Sequence, residues 1–147
     1  MKLTHLRTNH VSTPLGLEMS RPVFTWTAKD AAGKRQAAAQ VTVSAAGTVL
    51  YDSGRREDVS SLGFEAPVDL KPRTRYDWTV SVWDEAGDSA SASSWFETAK
   101  MEEPWSAQWI AASPAAPFED KEAQPLLAKT FTLPQNALRA RAYVCGL

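Results

Sequence analysis

Clustered carboxylates are the first feature of this 147-residue sequence whose residue types and spacing could do chemistry. Glu102 and Glu103 are adjacent, and a second group contains Glu119, Asp120 and Glu122. Two carboxyl groups can serve as general acid and general base when an apolar enclosure raises the pKa of one of them. Both groups lie in segments that predict a linker or a loop, where acids are normally exposed. We therefore interpret them as solvated acids and assign no catalytic residue.

The remaining reactive residue types give no pattern of a metal or nucleophilic site. His5 and His10 lack the surrounding cysteines or acids that a metal site or a catalytic triad requires. Cys145 lies in a predicted strand with alternating side chains, which favours a small buried hydrophobic residue over a nucleophile. Asp84 and Asp88 flank a predicted hairpin turn, and their spacing does not fit a calcium loop. With no glycine-rich phosphate loop either, the sequence predicts no cofactor and no metal.

Tryptophan is the residue type that leaves a binding role open. Trp83 faces away from Trp78 in one predicted strand, and Trp95 is followed by another aromatic residue, so one of those two must face outward. Trp105 and Trp109 lie at a predicted domain junction. Outward aromatic side chains indicate a covering domain, a protein partner or a sugar. We favour a domain–domain interface, and name Trp83, Trp105 and Trp109 as interdomain or sugar-contact candidates.

The elements that would position these tryptophans are β-strands, the clearest of which spans residues 74–84. Four apolar residues alternate along it and point to one face: Tyr76, Trp78, Val80 and Val82. The LKPRTRY motif just before it, at 70–76, resembles the E–F corner of fibronectin type III domains. A buried tyrosine needs a partner for its hydroxyl, which the backbone of this corner can supply.

The whole region up to residue 98 reads as short strands separated by turns. About seven strands are expected, at 3–9, 23–27, 40–44, 48–51, 62–64, 74–84 and 91–98. Leu3 and Leu6 are out of step, which predicts a bulge in the first strand. We interpret 14–16 as a turn or loop crossing, 29–34 as a hairpin connection and 37–39 as strand. This pattern predicts an all-β, immunoglobulin-like sandwich of the fibronectin type III kind.

Composition shifts at Ala99, which divides the chain into three parts. Residues 1–98 form the predicted sandwich, 99–110 an interdomain linker, and 111–147 the start of a second β-sandwich. The last part contains a long loop at 111–124 and two expected strands, at 126–133 and 139–144. Two or three strands are too few to bury a core, so we expect this second domain to be truncated.

Bulk properties argue against several partner classes. The formal net charge is −1 and basic residues are scattered, so the sequence predicts no nucleic-acid partner and no anionic membrane surface. No apolar run approaches the roughly 20 residues of a membrane-spanning helix. The first residues lack the apolar stretch of a secretory signal, and Cys145 is the only cysteine. These observations predict a cytoplasmic protein.

A series of short motifs runs through nearly the whole chain. They are TPLGL at 13–17, PVFTW at 22–26, YDSG at 51–54, TRYDW at 74–78, VWD at 82–84, WFET at 95–98, WSAQWI at 105–110 and ARAYVCGL at 140–147. Together, and in this order, they resemble motifs of the bacterial α-L-rhamnosidases of glycoside hydrolase family 78. The sequence departs from the family at Thr13, Tyr51 and Ala99, where Asn, Trp and Gly are usual.

The resemblance implies a fibronectin-like domain followed by β-sandwich domains and an (α/α)6 barrel. In the family the two carboxyl groups of the inverting reaction lie in that barrel, and no position of this chain matches them. The implied function is a non-catalytic, N-terminal structural or interdomain module of a protein that hydrolyses terminal α-L-rhamnosides. Its partners would be the downstream domains and, through them, rhamnose-containing glycosides. A stand-alone fibronectin-like module that binds a glycan or a protein is the alternative, and aglycone, linkage and oligomeric state stay open.

Overall fold

The computed structural model describes residues 1–110, 126–133, 137–138 and 140–145. It divides into two compact units, 1–104 and 105–147. The first unit contains eight strands: β1 (Lys2–Thr8), β2 (Leu15–Leu17), β3 (Val23–Lys29), β4 (Gln36–Ala45), β5 (Thr48–Asp52), β6 (Phe64–Glu65), β7 (Arg75–Asp84) and β8 (Ser89–Thr98). The described residues contain no helix, which confirms the all-β prediction.

The strands form a sandwich of two sheets. One sheet has the order β1-β3-β6, and the other has the order β2-β8-β7-β4-β5. All pairs are antiparallel except β2 with β8, which is parallel. The predicted alternation in β7 is confirmed, because Tyr76, Trp78, Val80 and Val82 are all buried between the sheets. The expected bulge in β1 is also present, as a register shift between Thr4 and Arg7.

Aromatic rings from both sheets form the centre of the core. Phe24 of β3 stacks on Trp78 of β7 with the ring centroids 4.3 Å apart, and Phe96 of β8 stacks on Tyr76 at 5.0 Å. Trp26 belongs to the same buried cluster, and its indole N–H donates to the Gln36 side chain at 3.3 Å. Trp26, Tyr76 and Trp78 thus contribute to one aromatic-rich core between the sheets.

The corner before β7 has the hydrogen bond that its sequence predicts. The Tyr76 side chain is buried, and its hydroxyl accepts from the backbone N–H of Lys71 at 2.7 Å. The Thr98 hydroxyl donates to the carbonyl of the same residue, Lys71, at 2.6 Å, and accepts from the N–H of Thr74 at 3.0 Å. Two buried side chains from β7 and β8 therefore satisfy the backbone of the corner.

Two connections differ from the sequence interpretation. Residues 29–34 do not form a hairpin, because β3 and β4 belong to different sheets and the segment crosses between them. Both edges of β3 are taken by β1 and β6, which leaves β4 to pair with β5 and β7. The segment 14–16 was interpreted as a turn or loop crossing, but its last two residues belong to β2, where Leu15 pairs in parallel with Glu97. Periodicity gives no signal for a strand of three residues.

Thr13 adopts a backbone conformation that its side chain disfavours. Its φ is +44°, in the left-handed region, where a β-branched residue is strained and asparagine is tolerated. We therefore expect Thr13→Asn to stabilise the chain by about 1 kcal/mol in urea denaturation. Ser12→Asn is the matched control, since Ser12 has no positive φ. Equal effects of the two substitutions would contradict the strain argument.

The second unit spans residues 105–147. None of its described residues pairs in a strand, so strands at 126–133 and at the described part of 139–144 are not observed there. A strand exists through hydrogen bonds to a neighbouring strand, and no such ladder forms among these residues. The expected loop at 111–124 lies outside the described residues, as does Arg139. The beginning of a second β-domain stays a prediction.

Candidate interaction surface

The outer face of the five-stranded sheet has a polar centre. Opposed residues of β7 and β8 point to the same side, and alternate pairs carry hydroxyl groups. Thr79 and Ser93 are hydrogen-bonded at 2.8 Å, and Ser81 and Ser91 at 2.6 Å. On β4 the Gln40 amide donates to the Asp52 carboxylate at 2.7 Å. This surface is polar and partly solvent-accessible.

A tryptophan covered by an arginine lies towards each end of this face. The Arg55 guanidinium is 4.5 Å from the ring centroid of Trp83, and that of Arg75 is 4.3 Å from Trp95. Both indoles are half-buried. Asp77 faces Trp95 across the ladder and Trp83 follows six residues later on β7, which places the two pairs about 20 Å apart. The outward orientation predicted for Trp83 is confirmed, and Trp95 is the outward member of its aromatic pair.

This arrangement decides what the two tryptophans can do chemically. A guanidinium over an indole gains cation–π energy and occupies a ring face that a sugar would otherwise use. Arg and Trp are also the residue types that contribute most to protein–protein interfaces. The Arg55–Trp83 and Arg75–Trp95 pairs are therefore the candidate anchors of a contact on the outer face of the sheet.

The other two candidate tryptophans lie in the second unit. Trp105 and Trp109 are 52% and 69% exposed. Within that unit they line a mostly apolar cavity of about 350 Å³ with Ile110, Tyr143 and Cys145. Cys145 is exposed, so the prediction that it is a small buried residue is wrong. The described residues of this unit form no two-sheet core in which the thiol could be enclosed.

The hairpin acids do more than the predicted turn formation. Asp84 is only 5% exposed, and one carboxylate oxygen accepts from the N–H groups of Ala86 at 2.9 Å and Asp88 at 2.8 Å. The other oxygen accepts from the N–H of Gly33 at 2.6 Å, in the loop that crosses between the sheets. The Gly33 donor, followed by those of Asp88 and Ala86, lowers the pKa of Asp84 against the opposing effect of burial. The Asp84 carboxylate therefore joins the hairpin turn to the crossing loop, and we call it, with its three backbone donors, the Asp84 hub.

Gly33 fits this hub because it has no side chain. A Cβ atom there would lie 3.0 Å from the Asp84 side chain and 3.1 Å from the backbone nitrogen of Ala86. The sequence predicted the turn role of Asp84 but not its link to Gly33, because no local pattern relates residues so far apart in the chain.

The clustered acids considered at the outset differ in their surroundings. Glu102 is exposed, as predicted for a solvated acid. Glu103 is half-buried and paired with Arg73, with the arginine Nε 2.8 Å from its carboxylate. The second group, Glu119, Asp120 and Glu122, lies outside the described residues.

Among the described residues no group of three or more His, Cys, Asp or Glu side chains could hold a metal ion. No helix long and apolar enough to cross a membrane occurs in those residues.

Fold and surface together define an immunoglobulin-like β-sandwich module with aromatic–arginine pairs on its outer face. The chain belongs to the Rha78A-like, N-terminal immunoglobulin domain family, whose profile matches residues 3–102. It is 44% identical over 122 residues to an α-L-rhamnosidase of Streptomyces avermitilis, covering 76% of this chain and 12% of that protein.

Two solved structures are also similar to this chain. The crystal structure of the Streptomyces avermitilis α-L-rhamnosidase complexed with L-rhamnose matches with a TM-score of 0.64 and 41% identity, over 76% of this chain and 12% of that one. The α-L-rhamnosidase from Dictyoglumus thermophilum matches with a TM-score of 0.68 and 25% identity, over 78% and 14%. The chain thus spans about an eighth of the length of the rhamnosidases that it matches.

Proposed function

We propose that this chain is the non-catalytic N-terminal module of an α-L-rhamnosidase, which in full length hydrolyses terminal α-L-rhamnosides. The observation that carries the proposal is the 44% identity to a small part, 12%, of a rhamnosidase. The module would act through packing against other domains, and the Trp83 and Trp95 anchors suit that role. In the described residues, three carboxylates have a lowered pKa, and each has a structural partner. Asp84 accepts hydrogen bonds from backbone N–H groups, Asp58 pairs with Arg56, and Asp88 pairs with the terminal ammonium.

The test compares this chain with the full-length product of its gene on a chromogenic α-L-rhamnoside. We expect hydrolysis by the full-length protein and none above background by residues 1–147. Heat-treated full-length protein is the control for spontaneous hydrolysis. Turnover by the chain itself would overturn the non-catalytic assignment, and an inactive, folded full-length protein would overturn the rhamnosidase assignment.

A stand-alone glycan-binding or protein-binding module is the second candidate. The half-buried Trp83 and Trp95 on a hydroxyl-rich face would serve this candidate as well, with a separate protein or glycan in place of a tethered domain. If the interdomain role is right, Trp83→Ala in the full-length protein should lower the temperature at which the module separates from the remainder. The KM for the rhamnoside should stay unchanged, because the anchor would touch protein and not substrate.

Differential scanning calorimetry of the full-length protein measures this separation. Leu62→Ala is the matched control, since Leu62 is 87% exposed and remote from the β7–β8 ladder in sequence. Loss of affinity for a rhamnoside or an oligosaccharide with unchanged domain separation would instead favour the stand-alone binding module.

A further inference from the structure

The chain leaves the sandwich through a turn that is tightly held. After β8 the Lys100 ammonium donates to the carbonyls of Glu103 and Pro104, both at 3.0 Å. The Arg73 guanidinium donates to one carboxylate oxygen of Glu103 at 3.0 Å and lies 2.8 Å from the other as an ion pair. The backbone N–H of Arg73 donates to the carbonyl of Ala99 at 2.8 Å. These bonds attach residues 99–104, which we name the exit turn, to the corner before β7. The exit turn is therefore held in place by residues of the first unit itself.

A groove of about 500 Å³ lies beside the exit turn and includes part of it. Its apolar lining comes from Met19, Leu70, Pro72 and Met101. Methionine is flexible and polarizable, so such a lining adapts to the side chain of a partner. The groove lies wholly within the first unit.

The groove also has a strongly acidic rim. Glu18, Glu102 and Glu103 line it. Of these three glutamates, only Glu103 forms an ion pair with another described residue. Glu18 and Glu102 are exposed and form no ion pair within that part of the chain. Two uncompensated carboxylates beside an apolar floor are complementary to an apolar side chain flanked by lysine or arginine.

We propose that this acid-rimmed groove is the docking site of a neighbouring domain of the parent rhamnosidase, which inserts an apolar side chain flanked by basic residues. The inference rests on the proposed function, since it needs a parent protein. Its position at the exit turn supports this occupant, because a tethered domain has a high effective concentration at the point of tethering.

The experiment uses the full-length protein and the variants Glu18→Lys and Glu102→Lys, singly and combined. Both side chains are exposed and outside the Arg73–Glu103 clamp, so isolated residues 1–147 should keep their melting temperature. In the full-length protein we expect the double variant to raise the rate of chymotryptic cleavage at Trp105 by about tenfold, and chymotrypsin does not cleave after the introduced lysines. Added salt should have the same effect on the unmodified protein, since the rim acts through charge.

Glu57→Lys is the matched control, as Glu57 is exposed, lies in the loop between β5 and β6, and is not part of the groove. Equal cleavage rates in the double variant and this control would overturn the groove proposal. Concentration-dependent self-association of residues 1–147 that the double variant abolishes would also overturn it, because a second copy would then be the occupant. Rhamnoside hydrolysis is scored separately, so that an inactive parent refutes the proposed function and not the groove.

Discussion

Replacing Asp84 by alanine should lower the melting temperature of this chain by about 10 °C, as expected for several buried hydrogen bonds in a small domain. The substitution leaves three backbone N–H groups, those of Gly33, Ala86 and Asp88, without their acceptor. It also removes the bond to Gly33 that joins the hairpin between β7 and β8 to the loop crossing between the sheets, and leaves the weaker bonds of Glu85 to that loop. Thermal unfolding followed by circular dichroism measures the change.

The loss at Asp84 should depend on pH in a defined direction. Because hydrogen bonds from Gly33, Asp88 and Ala86 lower the pKa of this carboxyl in the folded protein, its stabilisation is present above about pH 4, the ordinary range of an unfolded aspartate. It is lost as the pH falls through the lower folded-state pKa. The difference in stability between the unmodified chain and Asp84→Ala should therefore narrow below about pH 4.

Asp69→Ala is the control for the Asp84 experiment, because Asp69 is exposed. It should leave the melting temperature nearly unchanged, as is usual for surface positions. An equally large loss at Asp69, or a difference at Asp84 that stays constant as the pH falls, would show that the carboxylate of Asp84 is not the hub described above.

Removing the hydroxyl of Tyr76 should cost about 1–3 kcal/mol of the free energy of unfolding, the usual penalty for a buried donor left unpaired. In Tyr76→Phe the ring remains stacked on Phe96, but the N–H of Lys71 loses its acceptor at 2.7 Å. Urea denaturation should show a lower midpoint with an unchanged slope, since the surface exposed on unfolding stays the same.

Two further variants test whether the corner acts as a unit. Thr98→Val removes the other side-chain bond to Lys71, so its effect should be non-additive with that of Tyr76→Phe. Thr79→Val deletes a hydroxyl from the exposed pair with Ser93 and should change stability by no more than about 0.5 kcal/mol. Additive losses, or a loss at Thr79 equal to that at Tyr76, would contradict the role assigned to the corner.

Much of the sandwich could be predicted because its signals are local. The alternation in β7 follows from the pleat, which turns successive side chains to opposite faces whatever the strand pairs with. The corner at 70–76 places Tyr76 five residues from its donor, a distance that the motif itself contains. The outward orientation of Trp83 followed from the same parity, and the ordered motifs already indicated the rhamnosidase family.

The candidate surfaces were less visible in the sequence. Trp83 and Trp95 were seen as outward aromatics, but not the guanidinium groups of Arg55 and Arg75 that lie on them. Arg55 comes from the loop after β5. It reaches Trp83 because its neighbour Arg56 bridges to Ala39 of β4, next to Ala38, which pairs with Trp83. The groove beside the exit turn combines residues from three separate segments, near 19, 71 and 102, which no single pattern connects.

The sequence by itself therefore determined the class of fold, the main strands with their inward faces, the tyrosine corner and the family. Only the tertiary structure decided that 29–34 crosses between sheets, that β2 pairs in parallel with β8, and that Asp84 binds Gly33. The physical reason is the range of the interactions. Periodicity and turn chemistry act over a few residues, whereas the choice of strand partner and the meeting of remote loops depend on how the whole chain buries its apolar surface.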